Sequence, residues 1–151
     1  FKMYYFRDFK KNEVPFFMSL SQEEKKSLIK NLIALAVVDG AQNMDEIQFI
    51  KALAKGAGIN DEELSKISDS KLEFSPPRNE FDRIEHMHKL MLLMATDQTF
   101  SDVEKDFIQN IGLRMGIRPQ ATITLMSKLE KSPKNLLTPE EIIAVYKTYY
   151  N

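Results

Sequence analysis

Apolar positions recur every three or four residues along most of the chain, the spacing of one face of an α-helix. Leu28, Leu32, Leu35 and Ala36 make the first such stripe. It is predicted to begin at Ser21, where Ser21 and Glu24 have capping-box spacing: the hydroxyl serves one backbone N–H and the carboxylate reaches back to another. A second helix is predicted over residues 43–57, with Ile47, Ile50, Leu53 and Ala54 on its face and Gly58 as its C-terminal stop. A short helix follows from Asn60, with Glu63 at the box position. Residues 75–79, "SPPRN", break the pattern, because two successive prolines cannot continue a helix.

The stripe then restarts with Ile84, Met87, Met91 and Met94 and runs to Asp97. Ser101 is placed to cap the next helix, whose apolar side reads Val103, Phe107, Ile108, Ile111 and Met115 before Gly116. Pro119 suits a first helical position, with Ile123, Met126 and Leu129 following. Thr138-Pro139-Glu140-Glu141 opens a last helix bearing Ile142, Val145, Tyr146 and Tyr149. No alternating strand pattern intervenes, so the predicted class is all-α. The organisation read from these breaks is one domain. It has an aromatic segment at 1–20, a first half at 21–74, a proline linker at 75–79, a second half at 80–131 and a C-terminal helix at 132–151.

The halves match each other. Asp39 and Asp97 stand 58 positions apart, and the same offset pairs Leu32 with Leu90, Leu35 with Leu93 and Glu46 with Glu104. It also pairs Phe49 with Phe107, Ile50 with Ile108, Gly58 with Gly116 and Ile59 with Ile117 without a gap. Acids and a glycine in register are harder to obtain by chance than apolar matches. The chain therefore reads as two copies of a helix–turn–helix–Gly-Ile unit, in a helical bundle.

Composition narrows the classes. The 151 residues are 43% hydrophobic and 28% charged, ordinary globular usage for one domain. A formal net charge of -1 gives no overall footprint for nucleic acid. The absence of cysteine excludes disulfides and thiolate metal sites and fits a reducing compartment. No apolar stretch is long enough to span a bilayer. The chain begins at Phe1, which leaves open what precedes it.

The two corners read "VVDGAQNMDEIQFI" and "MATDQTFSDVEKDFI", each followed by a Gly-Ile stop. They resemble the TerB-like family, the helical domain of bacterial tellurite-resistance proteins, a relative of which lies beside the J-domain of some membrane-anchored co-chaperones. The family pattern is a helix ending in Ala-Asp-Gly, a Glu at the next helix start and a Gly-hydrophobic stop, present twice. Asp39, Gly40, Glu46, Asp97 and Glu104 match, whereas Val38 and Gln98 replace an alanine and the second glycine. The likeness covers residues 28–126. It implies a non-enzymatic all-α bundle with an acidic, cation-binding patch and a role in bacterial stress defence. It also implies a cytoplasmic setting, at the inner face of the membrane, and a protein partner that is itself membrane-associated.

The residues themselves leave two readings of the acids. Asn43 and Ser101 lie three positions before Glu46 and Glu104, so both glutamates complete capping boxes and need no metal. Asp39 and Asp97 face the negative ends of helix dipoles, which calls for a compensating N–H, a basic residue or a cation. An EF-hand is excluded, because Leu35 and Val37, or Leu93 and Ala95, would occupy ligand positions without an oxygen to offer. What stays open is a composite site of Asp39, Glu46, Asp97 and Glu104 for calcium, magnesium or manganese, the cations that hard oxygen ligands favour. Against it stands an interaction adaptor in which the acids only cap helices.

His86 and His88 are two apart on a helix and are expected to point one to the core boundary and one to water. Met87, Met91 and Met94 read as core. No Gly-rich phosphate loop, HExxH or Ser-His-Asp set appears, so no catalytic residue is nominated. The N-terminal rings Phe1, Tyr4, Tyr5, Phe6, Phe9, Phe16 and Phe17, beside Lys2, Arg7, Lys10 and Lys11, are expected to pack over the bundle rather than anchor to lipid.

Overall fold

A computed structural model describes residues 20–40, 44–96, 100–132 and 137–150. The aromatic segment at 1–19, Asn43 and Asp97 thus lie outside the described residues. Seven helices fill them: α1 (Gln22–Val37), α2 (Met44–Gly56), α3 (Asp61–Asp69), α4 (Glu80–Ala95), α5 (Asp102–Arg114), α6 (Pro119–Lys131) and α7 (Pro139–Tyr150). No strand occurs among the described residues, so the fold is all-α. No helix there is long and apolar enough to cross a membrane.

Local chemistry sets the limits. The side chains of Ser21, Asn60, Asn79 and Ser101 each accept a hydrogen bond from the backbone N–H three residues on. Helices α2 and α5 end in the same way. Ile59 N–H donates to the Ala54 carbonyl at 2.8 Å, and Ile117 N–H to the Gly112 carbonyl at 2.8 Å. Between them Gly58 and Gly116 take φ of 78° and 76°, the left-handed conformation that this stop requires and that side chains resist. The limits of α1 and α2 and the start of α3 recur 58 positions later as those of α4 and α5 and the start of α6.

Helices α1 and α4 pack on each other at the centre. Helix α1 also touches α2, α3 and α5, whereas α4 touches α5, α6 and α7. With that many neighbours α4 has no solvent face along its C-terminal turns: every residue from His86 to Ala95 is buried. Leu32, Leu35, Leu90 and Leu93 meet in this core, all at or below 1% exposure, and Met87, Met91 and Met94 fill it beside them. Two positions expected on buried faces are not there. Val103 is 49% and Ile123 50% exposed. Val103 lies in the first turn of α5, and α6 instead turns Ala121, Thr122, Leu125, Met126 and Leu129 inward. At Gly112 a Cβ would meet Thr122 Oγ1 at 3.0 Å, so the bare backbone lets α5 and α6 close together.

The proline linker has no regular secondary structure and is tied to both halves. Ser75 N–H donates to Ser27 Oγ at 3.0 Å, and Arg83 Nε–H donates to the Pro77 carbonyl at 2.7 Å. Phe74 lies with the Arg114 guanidinium 4.5 Å above its ring and His86 edge-on at 6.1 Å.

Candidate functional site

The acidic corners differ in how much of each is described. At the first, α1 ends at Val37 and the chain turns through exposed Asp39 and Gly40, whose φ is 79°. Glu46 sits in the first turn of α2 and is only 4% exposed. At the second corner Thr96 closes α4, its hydroxyl donating to the Leu93 carbonyl at 2.7 Å. Glu104 is 3% exposed, and one of its carboxylate oxygens is taken up by the cap. Its Oε1 accepts from Ser101 N–H at 3.2 Å and from Ser101 Oγ at 2.8 Å, while Glu104 N–H donates to Ser101 Oγ at 3.2 Å. The capping box is complete.

Asp97 lies outside the described residues, so the structure does not place the four acids as one set. Among the described residues no group of three or more His, Asp or Glu side chains is positioned to hold a metal ion. In comparisons with known proteins, no family model, curated protein or solved structure matches the chain.

Capping gives a direct test. Ser101→Ala is expected to cost about 1 kcal/mol, because the Glu104 N–H loses its acceptor and the carboxylate loses a donor. Thr138 and Glu141 make the same reciprocal contacts at 3.2 and 3.3 Å, but in an exposed setting. Thr138→Ala is therefore expected to cost less. Urea midpoints check both, and an unchanged midpoint for Ser101→Ala would contradict the cap assignment.

The buried polar cluster on α4 was not visible in the chain. Against expectation both histidines are buried, His86 at 0% and His88 at 7% exposure. From His86 to Ala95 no face of α4 is left for water once four helices and the linker surround it. Lys89 is buried as well, at 2%, with its Nζ 2.9 Å from Glu85 Oε2. His88 Nδ1 stands 3.9 Å from the same oxygen. The only sequence signal was the polar quartet Glu85, His86, His88 and Lys89 set within an otherwise apolar run from Ile84 to Ala95.

Burial dominates the electrostatics here. Burial pushes the Glu85 carboxyl up, but His88 and the Lys89 ammonium together outweigh it and hold it down at about 2. His86 is held down at about 3 by burial alone. Burial also lowers His88, with Glu85 pulling the other way. The Asn31 amide nitrogen lies 3.1 Å from His86 Nε2. With that nitrogen donating, Nε2 must be the bare acceptor of a neutral ring, and protonating it would bring two donors face to face.

The sign of the pH dependence follows. His86 binds its proton more weakly folded than unfolded, so its contribution is complete above about pH 6.5 and is lost as pH falls toward 3. Two pH units into that window cost on the order of 2–3 kcal/mol. The Glu85 contribution is complete above about 4.5 and is lost as pH falls toward 2. His86→Leu is expected to flatten the acid limb between pH 6 and 4 by about 1.4 kcal/mol per pH unit. Urea melts across that range check this, and an unchanged slope would overturn it.

Proposed function

We propose that this chain is a TerB-like, non-enzymatic helical module that works by binding another protein, its corner acids serving as helix caps. The observation that carries this reading is Glu104: 3% exposed, with Oε1 already accepting from both the N–H and the hydroxyl of Ser101. A cation at that oxygen would compete with two hydrogen bonds that hold the start of α5. On the partner side, Val37 and Met44 flank the first corner at 43% and 66% exposure, apolar surface that a protein partner can cover. The reading takes the two halves as copies of one unit. It is supported by helix limits and by glycine stops at Gly58 and Gly116 that recur at a fixed offset, and residues 32–59 are expected to superpose on 90–117. A stress-related role in the cytoplasm, near the inner face of the membrane, belongs to the same proposal.

A second reading, weak binding of calcium, magnesium or manganese, draws on Asp39, which stands exposed at the negative end of α1, a few positions before Glu46 in the chain. One experiment separates the two. Amide shifts are followed while each cation is added to the native chain and to an Asp39→Asn, Asp97→Asn variant. The adaptor reading expects no saturable shift around Asp39 at millimolar metal. Saturable shifts that vanish in the variant would put the cation site in front. For the adaptor itself, a photo-crosslinking side chain at Met44 is expected to capture a discrete partner in cells, and one at exposed Lys66 is not.

A further inference from the structure

A cleft of about 320 Å³ opens where the linker, the start of α4, the turn between α5 and α6, and α7 meet. Its walls are Ile84, Met115, Ile117 and the Tyr146 ring, all under 10% exposed, and Gly116 contributes bare backbone. Three charged side chains line it: Arg78, Arg83 and Glu80. Among the described residues neither arginine is ion-paired with a carboxylate. The cleft therefore holds two cationic groups against one anionic group.

Arg83 is held in place. Its Nε–H donates to the Pro77 carbonyl at 2.7 Å and an Nη1–H to the Met115 carbonyl at 3.3 Å. Those two bonds tie the guanidinium to the linker on one side and to the end of α5 on the other. Two of its five donors are thereby spent, and the remaining N–H groups are available to an incoming acceptor. A guanidinium fixed in this way is prepared for the planar fork of an oxyanion and loses little freedom on binding it. Arg78 is exposed at the mouth and free to close over the same oxyanion.

The charged residues of the cleft are not repeated in the first half. At the positions 58 earlier, Leu20 stands for Arg78, Lys25 for Arg83 and Gln22 for Glu80, and Leu20 is buried in the core at 6%. Helix α7, which brings Tyr146, follows the second half alone. The cleft is a feature of these particular residues and not a consequence of the bundle geometry.

We propose that this cleft binds a small organic monocarboxylate. The carboxylate is received by Arg83 and Arg78, and the hydrocarbon part lies against Ile84, Met115, Ile117 and the Tyr146 ring. Glu80 lowers the net positive charge to one and so disfavours dianions. The volume sits at the lower end of the range for small-molecule sites, about 300–1,000 Å³.

The test is an amide-shift titration of the full chain with acetate, hexanoate and inorganic phosphate, at ionic strength held constant with sodium chloride. Saturable shifts are expected at Gly116 and Ile117. Hexanoate is expected to bind at least about tenfold more tightly than acetate, as burial of two or more further methylenes gives. Arg78→Gln, at an exposed position, is expected to weaken hexanoate by about tenfold while leaving the rest of the spectrum in place. Glu80→Gln is expected to tighten it. Shifts that grow linearly for both carboxylates, or binding that Arg78→Gln leaves unchanged, would overturn the site. Phosphate binding more tightly than hexanoate would overturn its assignment to monocarboxylates.

Discussion

Replacing Glu85 by leucine is expected to lower the stability of the protein by about 3–5 kcal/mol, among the largest effects of any single polar substitution in it. Glu85 Oε2 lies 2.9 Å from the Lys89 ammonium, and Lys89 is 2% exposed. An ammonium taken that far out of water depends on nearby acceptors, and the leucine removes a full negative charge from its side. The same change leaves His88 beside a cation without the carboxylate that offsets it. The double variant Glu85→Leu, Lys89→Met removes both charges and is expected to recover most of the loss, since well-packed apolar side chains replace a buried ion pair at little cost. Urea unfolding of the two variants at pH 7 measures this. A single variant within 1 kcal/mol of the native protein, or a double variant no better than the single, would show that the pair is not what holds Lys89 in the core.

Truncating the central leucines is expected to be about as damaging. Leu32 and Leu90, one on each of the paired helices α1 and α4, are both 0% exposed. Leucine-to-alanine at such sites costs about 2–5 kcal/mol, the loss of transfer free energy plus that of the cavity left behind. The two positions are equivalent under the 58-residue offset and face the same interface. The two single variants should therefore cost similar amounts. The double variant should depart from additivity, because neighbouring cavities can merge or collapse together. A cost below about 1 kcal/mol at either position would mean that the α1–α4 contact is looser than its burial indicates. By comparison, removing the Ser101 cap disturbs only one turn of one helix.

The difference in scale between these effects tracks what could be read in the chain. Ser21, Asn60, Ser101, Thr138 and the stops at Gly58 and Gly116 lie where the residue pattern puts them. Asn79 closes the SPPRN break in the sequence, yet its side chain accepts from Asp82 N–H at 2.8 Å and caps α4. The box at Ser101 and Glu104 was legible in the chain, whereas the 3% exposure of Glu104 was set by the helices packed around it. The Arg78–Arg83 cleft left no trace in the chain, because its lining comes from the linker, α4, the turn after α5 and α7.

The sequence alone determined the helical class and the helix limits, because caps, stops and apolar stripes act within three to five residues of backbone. Burial is different in kind. A stripe such as that of α4 says which face is apolar but not how many neighbours close around the helix. Only the tertiary structure decided that His86, His88 and Lys89 are sealed in while Val103 and Ile123 face water. The physical reason is that desolvation depends on every element packed against a side chain, and those elements are brought together from distant parts of the chain.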